Sequence, residues 1–210
     1  MRPEPAPWNH NVHYHPLILG AVPAGCQRGL DVGCGEGGLA RELRQVVPHV
    51  LAIDCDGPVI DRAREQDNGA GVEYVTGDFL AYDLRPGSFD VIVSVAALHH
   101  MDPAAALSRM RQLLRPGGTL AVVGLARSRL RDLPTDVAGV LGHRVLLVGK
   151  KYQQVNAPTI WPPPQTYAQV RRIASDTLPG VRYRRHLLWR YSLIWTRPPG
   201  PADQDRLHSS

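Results

Sequence analysis

Short apolar runs alternate with amphipathic stretches through most of this chain. The runs are rich in aliphatic residues and predict buried strands, whereas the stretches between them place apolar residues every three or four positions, as one face of a helix does. Such alternation predicts a parallel sheet with helical crossovers. The predicted strands are residues 29–32, 50–53, 72–75, 89–95 and 119–123.

Three helices are predicted between these strands. Two of them begin near Pro58 and Pro103, because proline is tolerated in the first turn of a helix. The predicted apolar stripes are, in chain order, Leu39, Leu43, Val46 and Val47; then Val59, Ile60 and Ala63; then Leu107, Met110 and Leu114.

The final third of the chain has a different pattern. Thr166 is a suitable N-cap for one more helix. Two strand-like runs, residues 181–187 and 190–196, follow it with too few residues between them for a parallel crossover. We therefore expect an antiparallel hairpin at the end of the sheet.

A length of 210 residues fits one α/β domain. We predict an N-terminal cap segment at residues 1–27, which begins with a flexible leader, and a main domain at residues 28–197. Within that domain we expect residues 127–164 to form an insertion, and we expect residues 198–210 to form a flexible tail.

Charge is unevenly divided along the chain, whose formal net charge is +5 at pH 7. Residues 1–126 hold 10 Lys and Arg against 14 Asp and Glu, whereas residues 127–210 hold 14 against 5. A basic final third can attract nucleic acid, a membrane surface or an anionic substrate, although a solvated arginine-rich face is the simpler interpretation. No RNP motif or zinc finger supports nucleic acid.

Two further features limit the class of protein. No run of eighteen apolar residues occurs, so we expect no transmembrane helix and no integral membrane association. Cys26, Cys34 and Cys55 form no CxxC pair and leave an odd number, which fits a reducing compartment. We therefore expect a cytoplasmic protein.

A glycine-rich loop follows the first predicted strand, at residues 33–38. A strand that enters a glycine turn before a helix lets a ligand approach the bare backbone. Asp54 ends the second strand, 19 positions after Gly35, where a carboxylate can accept hydrogen bonds from both hydroxyls of a ribose. This combination predicts a ligand that contains adenosine.

The loop alone leaves two cofactors open, because Gly33-x-Gly35-x-x-Gly38 also satisfies the dinucleotide pattern of NAD-dependent oxidoreductases. Asp31 precedes the first glycine by two positions, where it would repel a pyrophosphate and attract a cationic amino acid group. Asp78 follows the third strand, where it can meet an adenine amino group. These residues and the closing hairpin favour S-adenosylmethionine over NAD.

Taken together, these segments resemble the class I S-adenosylmethionine-dependent methyltransferases, in their small-molecule branch. The resemblance covers about residues 28–126, with the motifs in order at ordinary spacing. It implies a Rossmann-like α/β fold, whose seven-stranded and mostly parallel sheet has helices on both faces and the hairpin as strands six and seven. The matching segments are residues 30–37, 52–54, 77–79, 89–92, 97–101 and 114–118.

The same resemblance implies which residues bind S-adenosylmethionine. Asp31 organises the amino acid end of the cofactor, Asp54 binds its ribose, and Asp78 and Phe79 flank its adenine. In this family, the residue at the position of Asp54 is often followed by a pair of small or hydroxyl-bearing residues, whereas this chain has Cys55-Asp56-Gly57. Contacts of Cys55 and Asp56 with the adenosine therefore stay open. The predicted cofactor-binding set is Tyr14, Asp31, Gly33, Cys34, Gly35, Asp54, Cys55, Gly77, Asp78, Phe79, Ser94, Val95 and Ala96.

His99 and His100 are the candidate catalytic residues. They follow the fourth predicted strand directly, at the edge that faces the ligand crevice of an open α/β sheet. A histidine can accept the proton of an oxygen or nitrogen nucleophile near neutral pH. Alternatively, one of the two histidines has only a structural role, in which it packs against neighbouring side chains or forms a hydrogen bond with the backbone.

Residues 8–16 combine hydrogen-bonding and aromatic groups at high density. We expect this segment to cover the cofactor with His13 and Tyr14, the alternative being a purely structural cap. A metal would require His10, His13 and His15 to converge, and no further ligand motif accompanies them, so we predict no metal site.

These observations predict a methyltransferase that acts on a small molecule by in-line transfer. The 127–164 insertion is expected to form a lid over a lipophilic or anionic acceptor, with covering the sheet or making a dimer contact as the alternatives. Trp161, Tyr167 and Trp189 are candidates for the acceptor pocket. A nucleic-acid methyltransferase and an NAD-dependent oxidoreductase are the alternative functions, and the sequence does not indicate an oligomeric state.

Overall fold

The computed structural model describes residues 9–128, 162–186 and 189–199, and within them seven strands form one sheet. The strands are β1 (Arg28–Val32), β2 (His49–Asp54), β3 (Glu73–Thr76), β4 (Phe89–Val95), β5 (Leu114–Leu125), β6 (Arg182–Arg185) and β7 (Arg190–Thr196).

Five helices accompany the sheet in the described part of the chain. They are α1 (His15–Leu19), α2 (Gly38–Arg44), α3 (Gly57–Glu65), α4 (Pro103–Leu113) and α5 (Tyr167–Thr177). Two single turns of 3-10 helix, Val12–Tyr14 and Leu98–His100, precede α1 and α4.

The strands are ordered β3-β2-β1-β4-β5-β7-β6 across the sheet. Strands β1 to β5 pair in parallel, whereas β7 runs antiparallel to both β5 and β6. The predicted α/β class, the seven-stranded sheet and the closing antiparallel hairpin are confirmed. The order reverses between β1 and β4, which is where an open α/β sheet forms its ligand crevice.

Hydrophobic side chains fill both faces of the sheet. One face is covered by α4 and α5, whose Leu107, Met110 and Val170 join the larger core cluster. The other face is covered by α1, α2 and α3. Strand β4 is buried along almost its whole length, as expected for a central parallel strand.

Helices α3, α4 and α5 each have a side-chain N-cap. Asp56 accepts a hydrogen bond from the Val59 amide at 3.2 Å, and Asp102 accepts one from the Ala105 amide at 2.7 Å. Thr166 and Gln169 form a reciprocal capping box at α5, which confirms the predicted cap.

Two details of the sequence prediction are wrong. Helix α2 ends at Arg44, so Val46 and Val47 both lie beyond it; Val46 is exposed, whereas Val47 is still buried in the core. Leu114 begins β5 instead of ending α4, because Pro116 forces the residue before it toward an extended conformation and the turn unwinds early.

The predicted insertion has its two ends side by side. Arg127 pairs with Thr166 in an isolated bridge, and the Arg127 amide donates to the Gln165 carbonyl at 2.8 Å. Residues 129–161, which carry most of the predicted lid and Trp161, lie outside the described residues, as do residues 1–8 with Trp8 and residues 200–210 of the predicted tail. Among the helices that are described, none is long and apolar enough to cross a membrane.

Candidate active site

The carboxyl ends of β1, β2 and β4 bring most of the predicted site residues to one edge of the sheet. Val32 is opposite Ile53, and Asp31 is opposite Val93. The glycine loop after β1 therefore lies between Asp54 at the end of β2 and the segment from Ser94 to His100 at the end of β4.

The glycine loop is fixed by backbone hydrogen bonds to the adjacent strand. The amides of Gly33 and Cys34 both donate to the Ile53 carbonyl, at 2.8 and 3.1 Å. The Gly35 amide donates to Asp54 Oδ2 at 2.9 Å. Cys34 is half-buried, and its pKa is raised by burial and by the charges of Asp31 and Asp54, so it remains a thiol.

Three of the four glycines of the loop, Gly33, Gly35 and Gly37, have a positive φ, but their surroundings differ. A Cβ on Gly33 would overlap the Cβ of Ala97, and one on Gly37 would lie 2.6 Å from the Tyr74 ring. A Cβ on Gly35 would meet nothing within 4 Å. Gly33 and Gly37 therefore allow close packing, whereas Gly35 borders open space.

Asp31 is a buried carboxyl group with an unsatisfied oxygen. Its exposure is 1%, and Oδ2 has no hydrogen-bond partner among the described residues. Burial, with a smaller contribution from Asp54, raises the pKa of Asp31 to about 8. A cationic group placed beside this oxygen would satisfy it and favour its charged form.

Asp54 is held in a defined orientation at the end of β2. In addition to the Gly35 contact, its Oδ1 accepts a hydrogen bond from the Asp56 amide at 3.1 Å. The Asp56 side chain is committed to the cap of α3, and Cys55 is exposed. Of the acidic groups in this turn, Asp54 is thus the one directed toward the loop.

The segment after β3 lies beside Asp54, because the Gly77 amide donates to the Asp54 carbonyl at 2.9 Å. Asp78 is exposed, and its Oδ1 accepts from the Leu80 amide at 2.9 Å. Phe79 is buried in the larger core, with the Arg109 guanidinium 5.5 Å from its ring centroid. The contact between Phe79 and adenine stays a prediction.

The end of β4 joins the loop through Ser94. The Ser94 hydroxyl is fully buried and donates to the Val32 carbonyl at 2.8 Å. Val95 is half-buried, and Ala96 has a φ of 57°, a left-handed conformation that is strained for a residue with a Cβ. The chain turns sharply here and enters the 3-10 turn with the two histidines.

His99 and His100 lie side by side, with ring centroids 4.0 Å apart. His99 is buried, and its Nδ1 has no partner within the described ranges. Burial, His100 and the Arg190 charge together lower the pKa of His99 to about 4. His100 is exposed, and Asp54 partly offsets the lowering of its pKa by burial.

The N-terminal segment packs against β7 and α2. Tyr14 is buried, with its ring 5.4 Å from that of His186, and burial raises its pKa to about 12. His15 Nδ1 is 3.0 Å from Glu42 Oε1, whereas His13 contacts the edge of Tyr14. The described residues contain no group of three ligands suited to a metal ion.

Sequence reasoning missed one group beside this site, the guanidinium of Arg190. Arg190 is 7% exposed as a residue, and its guanidinium donates to Asn11 Oδ1 at 2.8 Å. Its charge lowers the pKa of both Tyr14 and His99. A lone arginine at the start of a predicted strand carries no signal of burial, which arises only when the N-terminal segment packs over it.

Known proteins resemble this chain in sequence and in fold. The methyltransferase domain family matches residues 30–122. An uncharacterised methyltransferase of Mycobacterium tuberculosis is 42% identical over 197 residues, which cover 91% of this chain and 98% of the relative. The demethylmenaquinone methyltransferase of Roseiflexus castenholzii is 37% identical over 112 residues, 52% of this chain and 47% of that protein.

One solved structure illustrates the likeness of fold. Phosphoethanolamine N-methyltransferase 2 of Haemonchus contortus, in complex with S-adenosyl-L-methionine, superposes with a TM-score of 0.63 at 19% identity. The match covers 92% of this chain and 53% of that one.

Proposed function

This chain belongs to the class I S-adenosylmethionine-dependent methyltransferases, and on that premise we propose that it methylates a small-molecule acceptor beside His99. The main support for this proposal is the burial of polar side chains near His99, at the edge formed by the carboxyl ends of the strands. His99, Tyr14 and Arg190 are each less than a tenth exposed. Side chains this buried leave little open surface for a polymer to lie along, which favours an acceptor small enough to enter between them.

The residues of the edge fit S-adenosylmethionine. The unpartnered Oδ2 of Asp31 can accept a hydrogen bond from a cationic amino group, Asp54 presents an oriented carboxylate, and Gly35 borders open space. We assign the amino acid end of the cofactor to Asp31 and its ribose hydroxyls to Asp54. When bound, the cofactor supplies a methyl group on a positively charged sulfur, which is already activated for transfer.

The chain contributes orientation and a place for the proton of the acceptor. His99 is neutral at pH 7, so its unpartnered Nδ1 can accept a hydrogen bond from an O–H or N–H nucleophile and align it. Its low pKa makes it a weak base. We assign the proton that leaves the nucleophile to His100, since His100 is more exposed and the carboxylate of Asp54 stabilises its charged form.

Product identification tests this function. The protein is incubated with methyl-labelled S-adenosylmethionine and a cell extract, which is then separated into low-molecular-mass, protein and nucleic-acid fractions. We expect the label in the low-molecular-mass fraction. Label in nucleic acid, with activity that falls steeply as salt is added, would instead support action through the basic final third.

A further inference from the structure

A tight turn at residues 77–82 follows β3 and carries Asp78, which is predicted to meet the adenine amino group. The start of this turn is fixed to the end of β2, because the Gly77 amide donates to the Asp54 carbonyl at 2.9 Å. The turn is closed by the Tyr82 amide, which donates to the Asp78 carbonyl at 2.8 Å. Hydrogen bonds therefore fix both the start of the turn and its fold.

The Asp78 side chain is held in one direction at the exposed surface of this turn. Its Oδ1 accepts a hydrogen bond from the Leu80 amide at 2.9 Å. The Tyr82 ring packs over the start of the turn, so that a Cβ on Gly77 would lie 2.5 Å from it. The direction of the Asp78 carboxylate thus depends on where the backbone of the turn lies.

Arg109 attaches the other end of this turn to α4. Its half-buried side chain donates through Nη2 to the Tyr82 carbonyl, and its guanidinium carbon is 5.5 Å from the Phe79 ring centroid. Phe79 is itself buried in the larger core, so the ring that faces the guanidinium is also fixed. The turn is therefore held at two places, by Asp54 from β2 and by Arg109 from α4.

Both contacts of Arg109 are of kinds that hold a backbone firmly. A hydrogen bond from a charged donor is stronger than one between neutral groups, and a guanidinium over an aromatic ring adds a cation–π attraction. Removal of this side chain would leave the Tyr82 carbonyl without its charged donor and the Phe79 ring without its cation. The turn would then lose this attachment to α4, while its attachment to β2 remained.

We propose that Arg109 is a positioning residue for the recognition of adenine, because it holds Asp78 where its carboxylate can accept a hydrogen bond from the adenine amino group. This inference rests on the proposed function, which places S-adenosylmethionine at this edge, and adds the residue on which the choice of base depends. A carboxylate accepts a hydrogen bond from the amino group of adenine but repels the carbonyl oxygen that hypoxanthine has at the same position. A displaced turn discriminates less between the two bases.

Calorimetric titration of the full chain with two ligands tests this role. The ligands are S-adenosylhomocysteine and S-inosylhomocysteine, which differ only in the base. We expect the parent to bind the adenosyl ligand at least about tenfold more tightly. Arg109→Met should reduce this preference to less than about threefold, because it weakens binding of the adenosyl ligand and leaves the Kd of the inosyl ligand nearly unchanged. A loss of stability alone would affect both ligands equally.

Arg111→Met is the matched control, because Arg111 is an exposed arginine on the same helix and donates to the Thr177 carbonyl of α5. It should keep the parental preference. Arg109→Lys keeps the positive charge but loses the planar guanidinium, and its intermediate preference provides a second variant if Arg109→Met does not fold. A parental preference in these Arg109 variants, equal weakening of both ligands, or a parent without a preference would overturn this inference alone. A parent that binds neither ligand would instead refute the proposed function, which requires the cofactor at this edge.

Discussion

The buried carboxyl group of Asp31 makes the stability of the ligand-free protein depend on pH. Its pKa is about 8 in the fold, against an ordinary value of 3.8. Between these values the folded protein holds a proton that the unfolded chain has lost. The stability that this proton contributes is fully present below about pH 4, and it is lost as the pH rises through about 8.

Asp31→Asn should remove this dependence, because the amide does not titrate. Relative to the variant, the parent should lose about 1.4 kcal/mol of unfolding free energy for each pH unit between about pH 5 and pH 7. Denaturant unfolding of both proteins across this range measures the difference. Parallel pH profiles would show that Asp31 is ionised in the ligand-free fold.

The lowered pKa of His99 predicts the pH dependence of turnover. With a pKa of about 4, His99 is neutral and able to accept a hydrogen bond throughout the physiological range. Protonation of this residue should therefore not reduce kcat until the pH falls toward about 5. His99→Gln should lower kcat about a hundredfold, without weakening cofactor binding.

His49→Gln is the control for this substitution, since His49 is an exposed histidine at the opposite end of β2. It should leave the pH profile of kcat unchanged. An unaltered kcat in His99→Gln would rule out the aligning role of His99. If acidification inactivates both the parent and His99→Gln at the same pH, another group controls the profile.

In the glycine loop, we expect Gly33 to be needed for packing and Gly35 to be needed for ligand binding. A side chain at Gly33 meets Ala97, which leaves no room for it, whereas one at Gly35 meets open space. Gly33→Ala should therefore destabilise the protein by about 2 kcal/mol or more, through overpacking and backbone strain. Gly35→Ala should cost only about 1 kcal/mol of strain.

Cofactor affinity should respond differently from stability in this pair. Gly35→Ala should weaken S-adenosylmethionine binding at least about tenfold, because the added methyl group occupies the space that the ligand approaches. Thermal unfolding and calorimetry of the two variants give both quantities. If Gly35→Ala binds the cofactor normally, the open space beside Gly35 is not part of the cofactor site.

The glycine loop also shows how far a sequence pattern reaches. The spacing of the glycines predicts a turn between β1 and α2, and the turn is present. The pattern does not distinguish Gly33 and Gly37 from Gly35, because Ala97 and Tyr74 come from other elements of the fold. The burial of Arg190 is likewise a tertiary effect, since it depends on Asn11 and the N-terminal segment.

At the scale of the whole molecule, the chain builds its site by bringing strand ends together. Periodicity predicts the sheet, because β4 is continuously apolar and the final two runs are too close for a crossover. The order of the strands along the chain does not predict that β7 lies between β5 and β6 in the sheet. That position places Arg190 at the carboxyl edge of the sheet.

We infer that the buried Asp31 and the oriented Asp54 bind S-adenosylmethionine at this edge of the sheet. Calorimetric titration of S-adenosylmethionine at pH 7, in two buffers with different ionisation enthalpies, tests it most directly. We expect the parent to release about one proton on binding, because a cation beside Asp31 lowers its pKa. In Asp31→Asn we expect no proton release and much weaker binding. Asp54→Ala should bind more weakly than the control Asp61→Ala, in which an exposed residue is changed. Binding to Asp31→Asn and Asp54→Ala with parental affinity would contradict it.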